Sequence, residues 1–150
     1  MTSSKPIYPP VYWLATAILM LALHFSIPIR QIVQGRFRFL GVLFLAAGLA
    51  VILWAAKIFD EAGTTIKPFE QSSALVVRGP YRFSRNPIYV SMVLGLIGIA
   101  VLAGSLTPFL VVPWFAIFID RRFIRVEEAQ LRQAFGSEYD TYTAKVRRWL

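Results

Sequence analysis

Four apolar runs, divided by short breakers, constrain this chain more than anything else in it. The first covers roughly residues 11–29, opened by Pro9-Pro10 and closed near Pro28, and the second roughly 39–59. Each is close to the ~20 residues that a helix needs to cross a bilayer. The third and fourth, about 88–102 and 107–119, are shorter, with Ala103-Gly104-Ser105 as the turn between them. They form either a tight spanning hairpin in locally thinned lipid or a re-entrant pair. The expected fold is all-α: one integral membrane domain over residues 1–150, a bundle of about four transmembrane helices with a polar helical tail from 120 to 150. Apolar residues make up 57% and charged residues 16% of the chain, against about 45–50% and 25% in soluble domains.

Charge sorts by side. The loop between the first two runs holds Arg30, Arg36 and Arg38, and the other 13 of the 16 basic residues fall on the opposite side. The positive-inside bias then places both termini in the cytoplasm, with the protein in the inner, cytoplasmic membrane. The amino terminus has no small-residue cleavage site after its apolar run, so that run is expected to stay as a membrane helix. A net charge of +8 suits an anionic lipid surface, and no nucleic-acid motif accompanies it. The absence of cysteine removes thiol chemistry and Cys-based metal sites, and a single histidine, His24, leaves no His-rich metal site. No metal is expected. His24, Trp13, Trp54 and Trp114 read as packing or interfacial residues, and Gly41, Gly48, Gly95 and Gly98 as points of close helix approach.

The chemistry concentrates just before the third run, in Arg78-Gly79-Pro80-Tyr81-Arg82-Phe83-Ser84-Arg85-Asn86-Pro87-Ile88-Tyr89. Pro80 and Pro87 fix the chain's path, and Pro87 suits the first position of a helix. The N–H groups of that helix start, with Arg85 beside them, favour a carboxylate or phosphate. Tyr81 and Tyr89 offer rings to stack on a heterocycle and hydroxyls to orient a polar group.

The tail reads as a helix from Asp120 to Phe135, stopped at Gly136, and a second short helix capped by Ser137. Phe123, Ile124, Leu131, Ala134 and Phe135 share one face, and Glu127 sits in the middle of it, with Glu128 at its edge. A carboxylate there needs a partner. Glu127 should therefore face an arginine, a ligand or a hydrogen-bond donor: a buried ion pair with Arg82 or Arg85, or a ligand contact, for instance with two ribose hydroxyls. Tyr139, Tyr142, Val146 and Trp149 form a further stripe, read as packing or anchoring. No P-loop or Gly-x-Gly-x-x-Gly is present.

The stretch from Leu75 to Tyr89 resembles the Gly-Pro-Tyr…Arg-(His/Asn)-Pro-x-Tyr signature of the isoprenylcysteine carboxyl methyltransferase and phospholipid methyltransferase superfamily. Glu127-Glu128-Ala129-Gln130-Leu131…Phe135-Gly136-Ser137-Glu138-Tyr139…Tyr142 resembles its Glu-Glu-x-x-Leu…Phe-Gly-x-x-Tyr-x-x-Tyr block. Gly63-Thr64-Thr65 and Pro68-Phe69 also match bacterial members, so the resemblance covers roughly residues 60–145. It implies a membrane enzyme that uses S-adenosylmethionine, releases S-adenosylhomocysteine, holds the cofactor in a pocket capped by the tail, and takes a lipophilic acceptor from the bilayer. Carried over by position, Val77, Gly79, Tyr81, Arg85, Asn86, Pro87, Tyr89 and Glu127 would line the cofactor site, and Arg125 and Glu128 would act near the acceptor.

Asn86 stands where the prenylcysteine enzymes typically have histidine, and an amide is no base near neutral pH. The acceptor therefore stays open between a prenylated cysteine, a phospholipid amine and a small thiol. A carboxylate acceptor needs no base, and Arg125 could hold it; an amine or thiol needs one, and Glu128 is the candidate. Two other classes remain, an NADPH-dependent membrane reductase with a related tail and a non-catalytic membrane scaffold.

Overall fold

The computed structural model describes residues 7–63 and 74–150. Parts of two expected features, the Gly63-Thr64-Thr65 and Pro68-Phe69 matches, lie outside them. Among the described residues the chain is helical: α1 (Pro9–Ser26), α2 (Leu40–Glu61), α3 (Pro87–Ala103), α4 (Leu106–Ile119) and α5 (Arg125–Lys145). Short 3-10 turns cover Gly35–Phe39 and Gly79–Arg82.

Sequence punctuation explains the helix ends. Prolines occupy the first positions of α1 and α3, where the missing N–H costs nothing. Helix α1 stops at Ser26, a few residues before the expected 29, because the residue before Pro28 is driven out of the helical region. Gly104 ends α3 in a left-handed conformation, φ 81°. Two helical stretches, Pro9–Ser26 and Gly35–Glu61, are long and apolar enough to cross a membrane; α3 has 17 residues and α4 has 14.

Helices α2 and α3 approach backbone to backbone. A Cβ on Gly41 would lie 2.5 Å from the Gly98 carbonyl oxygen, and one on Gly98 would lie 2.8 Å from that of Gly41. Only glycine permits this contact. The main core joins α1, α3, α4 and the start of the tail through Met20, Leu96, Ala100, Phe115, Ile119 and Phe123. The outward sides of α1 and α2 present Leu14, Ile18, Leu43, Leu49 and Leu53 unburied, the pattern of helices that meet lipid.

At the end of the bundle away from the tail, Arg38 donates to the carbonyls of Leu102 and Ala103 and so closes α3. His24 Nδ1 and Ser105 Oγ share a hydrogen bond of 2.7 Å, a packing role for this histidine.

The tail differs from the expected separate helix. A π-helical turn, Asp120–Ile124, joins α4 to α5 without a break. Gly136 does interrupt the helix, with φ 50° and ψ −123°, and the chain resumes helical geometry up to Lys145.

Candidate functional site

The signature before α3 folds as a tight turn and then a helix start. Gly79 has φ 61°, and a Cβ there would lie 2.9 Å from Ile58 Cγ1 and 3.2 Å from Trp54 Nε1, so no other residue fits. The turn carries Tyr81 onto Phe59, ring centroids 5.4 Å apart, in a small cluster with Ala55, Ile58 and Val76. Asn86 precedes Pro87, the first residue of α3, and Tyr89 follows one half-turn on, 4% exposed.

The two halves of the sequence pattern meet at Tyr89 and Glu127. The Tyr89 hydroxyl donates to Glu127 Oε1 at 2.5 Å. Burial pushes the Glu127 carboxyl up to about 7, although the bond from Tyr89 pulls in the opposite direction. Tyr81 lies close enough for the Glu127 charge to raise its phenol, already raised mainly by burial. Tyr81, Tyr89 and Glu127 thus form one group. Of the partners open to Glu127, the structure supplies a hydrogen-bond donor, the Tyr89 phenol, and among the described residues neither Arg82 nor Arg85 pairs with it.

The neighbouring residues form a second group with another task. Glu128, 8% exposed, meets Arg85 Nη2 at 3.1 Å and Arg148 Nη2 at 2.6 Å, with Arg148 Nε also on both carboxylate oxygens. Arg148 Nη1 reaches Asp120 Oδ1 at 3.4 Å. The backbone after α5 turns back along the signature. Arg85 N–H donates to the Arg147 carbonyl at 2.9 Å, while Ser84 Oγ and Asn86 Nδ2 both donate to the Arg148 carbonyl, at 3.2 and 3.1 Å. Asn86 N–H is taken by Ser84 Oγ, and the Tyr142 hydroxyl donates to the Tyr81 carbonyl. The Arg85 N–H and the Asn86 side-chain amide therefore hold the chain's own tail, while the Asn86 N–H is spent on Ser84. Burial pushes the Tyr142 phenol up and the Tyr139 phenol to about 12, which keeps both protonated at neutral pH.

Arg125 stands apart, exposed, with Nε 2.9 Å from Asp120 Oδ2. Val77 is 45% exposed on the turn's outer side. Sequence reasoning passed over Arg148 and Asp120. Only the apolar stripe Tyr142, Val146 and Trp149 hinted that the chain returns to the bundle, where Trp149 packs on the main core.

As to a cofactor, two buried polar atoms have no hydrogen-bond partner among the described residues, Arg85 Nε and the Tyr139 hydroxyl. An unpaired cationic donor and an unpaired phenol around Glu128, with the phenols and carboxylate of the Tyr81–Tyr89–Glu127 group, suit a ligand with an anionic end, a ring and hydroxyls. Among the described residues, no cluster of side chains could hold a metal ion.

Comparison with known proteins gives two results. The sequence model of the phospholipid methyltransferase family matches residues 37–138, a span that contains both signature blocks up to Glu138. A Haemophilus influenzae protein, described only as uncharacterized, is 38% identical over 63 residues, which are 42% of this chain and the whole of that protein. No solved structure matches the chain.

Proposed function

The chain belongs to the phospholipid methyltransferase family, and from that premise we propose that it transfers a methyl group from S-adenosylmethionine to a lipophilic acceptor at the membrane face. The observation that carries this reading is the Tyr89–Glu127 hydrogen bond, which joins the two signature blocks in one partly buried group. When bound, the cofactor supplies an electrophilic methyl on sulfonium, and the protein's work is placement and exclusion of water.

In this reading Tyr81 and Tyr89 pack against the adenosyl group, and Glu127 accepts its hydroxyls. Gly79 and Pro87 set the backbone on which these side chains stand, Val77 lies at the rim, and Arg85 offers its buried Nε to the carboxylate end. Asn86 acts through the tail it holds. Glu128, with an arginine on each side, is a clamp, so we assign it a positioning role in place of the base suggested by its sequence position. Arg125, on the exposed side of α5 and paired with Asp120, is the tail arginine we assign to an anionic group of the acceptor. We also read residues 1–150 as one domain, with α1 to α4 crossing the inner membrane, both termini cytoplasmic, and α5 with its return closing over the cofactor.

Calorimetric binding of S-adenosylhomocysteine to detergent-purified protein tests the proposal, with NADPH as the control ligand. Binding of the first alone, weakened by Glu127→Ala, is expected. Binding of NADPH alone would make the protein a reductase, and binding of neither to folded protein would leave a scaffold.

A further inference from the structure

We propose that the outer face of α4 and the π-helical turn form a docking site for one anionic phospholipid of the surrounding leaflet. The phosphate sits between Arg121 and Arg122, and an acyl chain lies along Trp114 and Ile117. The site is separate from the Tyr89–Glu127 group and rests only on reading α4 as a lipid-facing helix.

A surface groove of about 340 Å³ is lined by Trp114, Ile117, Phe118, Arg121 and Arg122. Their spacing of three, four, seven and eight residues puts them on one helical face. Along that face polarity changes in a single direction. Trp114 and Ile117 are 58% and 53% exposed, and Leu110 extends the apolar strip a turn further. The arginines follow at the end nearest the tail. Trp114 stacks on Phe118, centroids 5.7 Å apart and planes 10° from parallel, which makes a flat wall. The Arg122 guanidinium lies 5.8 Å from the centre of the Phe123 ring, a contact that holds the side chain while leaving its charge unneutralised.

Charge complementarity selects the occupant. Arg85, Arg125, Arg132 and Arg148 each face a carboxylate. Among the described residues, Arg121 and Arg122 face none. Asp120, next in sequence, is engaged by Arg125 and Arg148. Two exposed guanidiniums without a counterion are a phosphate site. A soluble phosphate would have no use for the apolar strip beneath, whereas an acyl chain covers it. No carboxylate lines the groove to hold an ammonium headgroup, so a net-negative lipid is preferred over a zwitterionic one.

Tryptophan quenching in vesicles tests this. Protein is reconstituted in phosphatidylcholine containing a small fraction of either brominated phosphatidylglycerol or brominated phosphatidylcholine, and the Trp114 signal is taken as the difference from Trp114→Phe. Brominated phosphatidylglycerol is expected to quench it selectively, with a preference of roughly fivefold per arginine. Arg121→Gln/Arg122→Gln should abolish the preference, whereas Arg132→Gln/Lys145→Gln, with the same net charge, should keep it. Arg121→Gln alone should lower it roughly fivefold, which serves if the double variant does not fold. Equal quenching by both lipids would overturn the proposal, and so would equal loss in the two double variants. Erasure of the preference by excess inorganic phosphate would assign the site to a soluble anion and overturn the lipid assignment.

Discussion

The Tyr89 hydroxyl and Glu127 Oε1 lie 2.5 Å apart although 38 residues separate them in sequence. Their bond is where the start of α3 meets the start of α5. It gives a carboxylate in a mainly apolar setting one neutral donor and leaves the rest of its accepting capacity for a ligand.

The setting of Glu127 has a pH signature. Its carboxyl titrates near 4.5 when unfolded and near 7 in the fold. The folded state therefore holds a proton that the unfolded chain releases, and stability falls as pH rises through that window. The loss is up to about 3 kcal/mol at 1.36 kcal/mol per unit. Glu127→Gln should flatten this decline and raise the thermal midpoint at about pH 8, while it weakens S-adenosylhomocysteine binding. Thermal unfolding at about pH 5 and pH 8 checks it; a variant that declines as steeply as the parent would place the proton elsewhere.

Tyr89→Phe should act on the same group in the opposite sense. The hydrogen bond from Tyr89 lowers the Glu127 pKa against the effect of burial. Without it the carboxyl titrates higher. A pH series of S-adenosylhomocysteine affinity should shift its inflection upward in the variant, and an unmoved inflection would dissociate Glu127 from the binding step.

Arg148 clamps Glu128 and Asp120 together. Removing one partner of a buried pair costs about 3–5 kcal/mol, and the partial exposure of Arg148 reduces this to about 2 kcal/mol for Arg148→Ala. Lysine cannot reproduce the fork, so Arg148→Lys should recover less than half. Because the two side chains act together, Glu128→Ala with Arg148→Ala should cost less than the sum of the single changes. Unfolding of the four proteins in one detergent measures the cycle.

Asn86→Ala should loosen the end of the chain without unfolding the bundle, since its amide holds the Arg148 carbonyl. Trypsin cuts after arginine, and cleavage after Arg147 and Arg148 should quicken several-fold at unchanged thermal midpoint. A net loss of about 1 kcal/mol is the usual scale for one such bond. Unchanged cleavage would mean that Ser84 and Arg85 suffice.

Much of this was legible in the sequence where local rules decide. Pro9-Pro10, Pro87 and Gly104 bound helices because φ and a missing donor are properties of one residue. Gly41 and Gly98 pack as small residues do. The position of Glu127 on an apolar face announces a partner but not its identity: an arginine, a ligand and a hydrogen-bond donor are all open, and a phenol on another helix takes the place. The return of residues 146–148 was not legible, because Ser84, Arg85 and Asn86 bind backbone carbonyls, which every residue carries alike. The continuous passage from α4 into α5 was also missed, since a π turn has no composition of its own.

The return of the chain along the signature sets an order of events during synthesis. The loop before α3 receives hydrogen-bonding partners from Tyr142, Thr143, Arg147 and Arg148 of the tail. A nascent chain that has not reached those codons has its signature unset. A message cut short upstream of residue 142 would yield α1 to α4 without these bonds to the signature.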